Sequence, residues 1–530
     1  MYQVLLTRRY LFSKIMPLLA ALAVMLITAT ELVTWSVMGG FLNHLIKTST
    51  KFTGDVSIQW PSAGFAHYDE LIEMLEREPE IRIATPVIQT FAMVRLPEGR
   101  VMPKQVWGID PDSFSQVANF RDSLWWKPIT KAHPRDFQLS DPRLNPLSET
   151  MWLYERANDK ESGVVVDPNA TWEDVFQAGV TMSRVEKDTG RAVPAAVVGI
   201  EVLGFMAREG PELYLPGQRT QLLPDGTERK VARFGPMEQI TVTMFPVDSI
   251  GRPREVVSQT VPIANEFHTG VIQIDKEVVL LPLSLVQRSL QMNEATRSVI
   301  DPIAAAMGNY DAQTTEIDPA RVTDIVIRAA DGYNEYDAKE AAERVYKVFA
   351  SNHIGQVPDT EKIQISTYEE QNAFFISAVR KETALVMFIF GVISFTSVFL
   401  VLAIFWSMIS EKTKDIGVLR SIGAGRKGIA GLWISYGFLL GMIGSMFGVV
   451  IAILIVRNIN PINDWIGKTF GKGAQVWNPD TYYLLKIPNE VDPMKVVVIF
   501  VVGVFVCVLG SAWPAIRAAR MDPVRSLRFE

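Results

Sequence analysis

Four apolar runs, at 15–38, 383–409, 429–456 and 496–513, constrain this chain more than any other feature, because each is near the roughly 20 residues an α-helix needs to cross hydrocarbon. Their spacing is uneven. All of 39–382 lies between the first and the second, whereas the last three follow one another closely. The fold class expected is therefore a polytopic α-helical membrane protein, with four transmembrane helices and a large α/β extracytoplasmic domain inserted between helices 1 and 2. A hydrophobic content of 48% over 530 residues, between that of soluble and fully membrane-embedded chains, fits a four-span unit with a soluble insertion of this size.

Lysine and arginine set the orientation. Arg8, Arg9 and Lys14 precede the first span, Lys412, Lys414, Arg420, Arg426 and Lys427 crowd the short loop between the second and third, and Arg517, Arg520, Arg525 and Arg528 crowd the tail. Basic loops stay in the cytoplasm. The second outer loop also carries basic residues, so the asymmetry rests on density. The expected order is then 1–42 as an N-terminal segment with the first span, 43–382 as the outer domain, 383–409 as span two and 410–428 as a cytoplasmic coupling loop. It continues with 429–456 as span three, 457–495 as an outer loop, 496–513 as span four and 514–530 as a cytoplasmic tail. Residues 7–14 look like a twin-arginine export signal, but no small-residue cleavage site follows and three later spans already require insertion.

Composition excludes several functions. The net charge of −6 leaves no nucleic-acid footprint, and the one cysteine, Cys507, lies in the last apolar run, which rules out an internal disulfide or a cysteine metal cluster. His44, His67, His133, His268 and His353 are scattered without ligand spacing, so no metal is expected. No nucleophile arrangement stands out, and no catalytic residue or cofactor is assigned.

The outer region reads as strands and helices in alternation. Strands are expected at 55–60, 81–96 and 101–109, with a helix at 68–78; after the middle portion a strand at 324–328, a helix at 337–350 and a strand at 362–366 repeat the pattern. Residues 120–169, with Trp125, Trp126 and Trp152 among prolines and charges, read as a long loop. Thr367-Tyr-Glu-Glu370 is a capping box, and no proline or glycine intervenes until Gly391. One helix from Glu370 to Ile409 would be roughly 60 Å long, about twice the hydrocarbon thickness.

The coupling loop 411–429, EKTKDIGVLRSIGAGRKGI, is short, basic and helix-prone. Ile416, Val418, Leu419 and Ile422 are expected to give it an apolar side, while Lys412, Lys414, Asp415 and Arg420 keep the rest solvated. Here the chain resembles the permeases of the lipoprotein-releasing (Lol) type, LolC and LolE, within the wider group that includes MacB and FtsX. Carrying the resemblance are Asn372-Ala-Phe-Phe375, Glu411-Lys412, Asp415-Ile416, Leu419-Arg420, Gly423-Ala424, Tyr482 with Ile487-Pro488, Pro514-Ala-Ile-Arg517 and Asp522-Pro523 through Glu530. Weaker likenesses lie in Arg9-Tyr10 and in Ser36 to Phe41, a small apolar turn leaving the first membrane helix. Others are Gly108-Ile-Asp110-Pro111, Val198-Gly-Ile-Glu201, and Thr269-Gly270 with Asp275.

The resemblance implies a non-catalytic permease subunit of an ATP-driven mechanotransmission transporter in the bacterial inner membrane, moving a lipoprotein or other amphipathic cargo on its outer side. It implies a separate ABC ATPase dimer closing on Glu411, Lys412, Asp415, Ile416, Leu419 and Arg420, a second permease copy or related subunit, membrane lipids, and a lipoprotein or carrier protein as partners. It also implies two outer subdomains, one next to the membrane and one β-rich. The alternative is an FtsX-like regulator of an extracytoplasmic hydrolase that transports nothing.

Remaining motifs weigh less. Gly423-Ala-Gly425-Arg-Lys-Gly428 is formally GxGxxG, but it lies between membrane spans and better serves to end the coupling helix. Gly467-Lys468-Thr469 lacks the first glycine of a P-loop. Gly437, Gly441, Gly444 and Gly448 repeat at intervals that let helices approach closely, within the subunit or across a dimer. Glu31 is an acid in an apolar span; it belongs either at the outer interface or on a translocation path.

Overall fold

The computed structural model describes residues 15–522 apart from 62, 98, 128–171, 186–189, 204–206, 209–213, 216–217, 223–227, 233–237, 248–251, 301–312, 476 and 478–486. Arg8, Arg9, Lys14, His133, Trp152, Tyr482 and the tail beyond Asp522, with Arg525 and Arg528, lie outside the described residues. The chain divides into two units. One is helical; the other holds the sheet that lies between Leu45 and Ala373.

The helical unit contains α1 (Ile15–Thr53) as far as His44, the last turns of that helix belonging to the sheet unit, with α2 (Ala373–Glu411), α3 (Thr413–Ser421), α4 (Arg426–Arg457), α5 (Ile459–Phe470) and α6 (Pro493–Ala519). Of these, α1, α2, α4 and α6 are long and apolar enough to cross a membrane. Two expectations are corrected at helix ends. The turn expected at Ser36 to Phe41 is helix, and α1 continues to Thr53 before Gly54 ends it at φ +77°. Gly39 and Gly40 are there for close approach: a Cβ on Gly40 would lie 2.9 Å from the Glu490 backbone nitrogen, and one on Gly39 would strike the Lys495 side chain. Farther along, Phe52 is buried and stacks on Phe267 at 5.1 Å, and Arg328 donates to the Thr50 carbonyl, so the last turns of α1 are stabilised by packing that a hydropathy pattern does not record.

The second correction concerns α2. Thr367 does cap a helix, with Glu370 N–H donating to its hydroxyl at 3.3 Å and its own N–H donating to the Glu370 carboxylate at 3.0 Å, but that helix is only Tyr368–Gln371. Asn372 interrupts it at φ −102° and ψ 20°, its side-chain amide and its backbone N–H both donating to the Tyr368 carbonyl. An asparagine offers the backbone this alternative to the helical ladder. The rod therefore starts at Ala373, and its 39 residues span about 58 Å.

In the sheet unit the main sheet is formed by β1 (Val56–Gln59), β2 (Ile81–Arg95), β3 (Val101–Ile109), β4 (Ala196–Gly199), β5 (Gln239–Met244), β6 (Val257–Phe267), β7 (Val278–Pro282), β8 (Asp324–Ala329) and β9 (Gln364–Thr367), with five two-stranded sheets beside it among the described residues. Their order is β5-β6-β4-β7-β3-β2-β8-β1-β9, and β5 also pairs with β2, so the sheet closes into a barrel from which β8, β1 and β9 extend. The 15-residue β2 makes this possible. Its first half pairs with β8, Val87 opposite Asp324, and its second half pairs with β5, Ala92 opposite Met244. Alternation along the strands sends Ala92, Val94, Val106, Val242, Ile263 and Val279 into one core. The same core runs under the helix Glu335–Asn352, which buries Ala338, Ala341, Ala342, Val345, Tyr346 and Phe349 at helical spacing.

Strands from the flanking and middle portions share one sheet, because β2 is long enough to serve both. Not all of 120–169 is a loop. Phe120–Ser123 is a helical turn, and the buried Trp126 donates from its indole to Glu266 at 2.6 Å while its backbone exchanges hydrogen bonds with the Asn265 side chain.

Candidate functional site

The loop between α2 and α4 is built to hold a short helix rigidly against the bundle. Lys412 links α2 to α3, its N–H reaching the carbonyls of Met408 and Ile409, and Thr413 donates to the Ser410 carbonyl at 2.8 Å. At the other end the Gly423 N–H donates to Arg420 O and the Ala424 N–H to Leu419 O. This crossed pair closes a helix through a left-handed residue, which only glycine adopts freely; Gly423 sits at φ +104°. Gly425 then caps α4, so the glycines turn the chain from one helix into the next.

The apolar residues of α3 do not share one side. Ile416 is 2% exposed, packed in the core formed by Met408, Ile409, Ile429, Trp433 and Ala518. Val418 is 45% exposed and Ile422 79% exposed. At 100° per residue, Ile416 and Val418 lie on opposite sides of the helix, whereas Val418 and Ile422 are one turn apart. The outward face is thus an apolar pair, with exposed Lys414, Arg426 and Lys427 around it.

Of the six residues expected to couple to an ATPase, Glu411 is exposed at the end of α2, Lys412 and Asp415 pair at 3.0 Å, and Leu419 is half-buried. Ile416 and Arg420 are anchors: the Arg420 guanidinium donates to the Ala519 carbonyl at 2.6 Å and so ties α3 to the end of α6. The sequence puts Val418 and Ile422 on one apolar side with Ile416; a helical wheel separates them, and the structure exposes the pair and buries Ile416.

The four glycines of α4 lie at crossings within the chain. A Cβ on Gly441 would lie 2.8 Å from the Cβ of Cys507 on α6, and one on Gly437 would strike Ser511. Cβ atoms on Gly444 and Gly448 would come within 2.8 Å of the Ala21 carbonyl and 2.7 Å of the Met25 carbonyl on α1. Half-buried Glu31 accepts a hydrogen bond from the buried hydroxyl of Ser394, joining α1 to α2.

In the sheet unit, the weaker sequence landmarks meet around Asp275. This fully buried carboxylate accepts from the Thr269 N–H and hydroxyl at 2.7 Å each and from the Gly270 N–H at 3.0 Å. Glu201 N–H donates to its carbonyl, and Gly199 leaves room for that backbone. Asp110 caps the helix Pro111–Val117. His67 and His353, far apart in sequence, stack at 4.4 Å, with His353 3.0 Å from the Glu70 carboxylate. Among the described residues no group of His, Cys, Asp and Glu is arranged to hold a metal.

Residues 387–523, from within α2 through α3, α4 and α6, match the FtsX-like permease C-terminal family. The chain is similar to the lipoprotein-releasing system transmembrane protein LolC of Xylella fastidiosa (strain 9a5c), 26% identical over 31% of this chain and 40% of the relative. It is similar to LolE of Haemophilus influenzae, 29% identical over 22% of this chain and 28% of the relative. To LolC of the same organism it is 22% identical over 42% of this chain and 50% of the relative. The chain therefore spans half or less of the length of each of these relatives.

Proposed function

We propose that this chain is the permease subunit of an ATP-driven transporter of the LolC/LolE and MacB type, which moves a lipoprotein or other amphipathic cargo at the outer side of the bacterial inner membrane by transmitting force. The division of α3 into two faces carries this reading. Val418 and Ile422 present apolar surface outward, while Ile416 and Arg420 fix the same helix to the bundle. A protein that pushes on the outward pair moves α3 as a solid piece. Displacement then passes through Lys412 into α2 and through Ala519 into α6. The 39 residues of α2 contain no proline, so the rod has no built-in kink at which displacement would dissipate.

In this reading the subunit performs no covalent chemistry. A separate ABC ATPase dimer hydrolyses ATP, and two permease copies, or this chain and a related subunit, each present an α3 to it. The outer domain, beyond α1 and α2, receives the cargo. The sequence likeness of 387–523 to FtsX-like permeases, which includes α3, supports the coupling part most directly.

The test is reconstitution in proteoliposomes with an ABC ATPase of the lipoprotein-releasing type. With Cys507→Ser as background, Ile422→Cys should cross-link to the ATPase, and a triacylated lipopeptide should stimulate hydrolysis where the unacylated peptide does not. No cross-link from Ile422→Cys would refute the coupling assignment. Stimulation independent of acylation would favour the regulatory, FtsX-like alternative.

A further inference from the structure

The helix α5, which follows α4 after the single residue Asn458, is turned the opposite way to an amphipathic helix on a soluble core. Its polar side faces protein. Asn460 exchanges two hydrogen bonds with the Ile487 backbone, at 2.8 and 3.1 Å, and Asn463 two with the Trp477 backbone, at 2.8 and 3.1 Å. Gly467, on the same side, leaves space that the Gln475 side chain fills. Its apolar side faces outward: Ile462 is 39% exposed, Trp465 60% and Phe470 68%, spaced three and five residues apart with half-buried Ile466 between them. Asp464 and Lys468 occupy a third arc, one turn apart.

A helix of three arcs, one clamped to protein by asparagines, one apolar and one charged, suits a boundary between protein, lipid and water. We propose that α5 lies in the plane of the membrane, with Ile462, Trp465 and Phe470 seated among the lipid headgroups and upper acyl chains on the outer side. The inference rests on the reading of α4 as a membrane span.

Two observations favour lipid over a second protein as the occupant. The apolar arc continues a surface that α4 already exposes along its outer half, at Phe447, Val450 and Leu454, which meets acyl chains in that reading. The neighbouring helix ends have the composition of an interfacial belt as well: Lys495 at the start of α6 lies over the Trp35 ring at 5.9 Å, Phe41 meets Trp477 edge-on at 6.5 Å, and Trp465 meets Phe470 edge-on at 6.2 Å. Amphipathic helices with aromatic anchors and a charged flank bind such interfaces. Placed where α4 leaves the bilayer, α5 would disturb lipid packing beside the helices that move.

Spin labels on single cysteines test this, in the full chain with Cys507→Ser, reconstituted in phosphatidylethanolamine–phosphatidylglycerol vesicles. Ile462→Cys, Trp465→Cys and Phe470→Cys should relax with oxygen several-fold more than with a water-soluble nickel chelate, and Asp464→Cys and Lys468→Cys the reverse. Val450→Cys and Leu454→Cys report the span itself. If those two meet lipid but 462, 465 and 470 meet nickel, α5 lies in water and the proposal fails alone. Labels at 462, 465 and 470 shielded from both reagents would overturn it in favour of a second protein chain. Nickel accessibility at 450 and 454 would remove the span, and with it the premise.

Discussion

The outward pair on α3 allows a prediction whose size follows from exposure. Fully burying a valine or isoleucine side chain is worth about 1.5–3 kcal/mol. With 45% of Val418 and 79% of Ile422 still open, docking against an ATPase would gain about 2–3 kcal/mol from the two side chains together. Truncating both, Val418→Ala with Ile422→Ala, leaves the β-carbons and should remove about 2 kcal/mol, or about 30-fold in Kd. The isolated permease should hardly notice, since surface substitutions of this kind stay within about 0.5 kcal/mol. Ile416→Ala is the contrasting variant. At 2% exposure it should cost the bundle about 2–4 kcal/mol and weaken ATPase binding only by loosening α3. Kd would be measured by interferometry on nanodisc-embedded permease, beside thermal unfolding of the same samples. Unchanged affinity in the double variant, with weakened affinity in Ile416→Ala, would refute the assignment of the faces.

Inserting Gly-Gly-Ser after Ser377 lengthens α2 by about 4.5 Å and turns everything beyond it by about 300°, and each glycine costs about 1 kcal/mol of helix stability. Assembly and basal ATPase activity should survive while cargo release is lost; normal release would make α2 a mere anchor. Gly448→Leu places a side chain where a Cβ alone would be 2.7 Å from the Met25 carbonyl, so it should lower the melting temperature in detergent, whereas Gly425→Ala, with open space around it and φ −68°, should not; equal melting temperatures would contradict the crossing. Asp324 is pushed up to about 6 by burial, against hydrogen bonds from Thr323 and Gln59 that favour its charge. Between about pH 4 and 6 the folded chain therefore holds a proton the unfolded chain has lost. Stability falls as pH rises through that window and stays lower above it, by up to about 3 kcal/mol. Asp324→Asn should remove this contribution, raising the melting temperature at pH 8 relative to the parent; an unchanged pH profile would show that Asp324 does not titrate there.

Where the sequence was legible, a local physical demand left a pattern in it. Hydrocarbon requires long apolar helices, so α2, α4 and α6 could be placed from hydropathy. The Thr367–Glu370 capping box and the left-handed Gly423 could be read because each is complete within a few residues. The likeness of residues 387–523 to FtsX-like permeases was legible in the same region, where spans and loop follow one another closely. Illegible were features that depend on what is packed alongside: the glycines at 39 and 40 look like a turn until Glu490 and Lys495 are set beside them.

The sequence by itself determined that there are four apolar helices, that a large α/β segment is inserted after the first, and that a short basic helix joins two of them, because periodicity and charge act along the chain. Tertiary structure decided the rest. It closed the sheet through β2, whose two halves find different partners, and it brought Trp126 onto Asn265 and Glu266. It also turned Ile416 inward and Val418 and Ile422 outward: a lone helix of this composition has no inside until α2, α4 and α6 surround one of its faces.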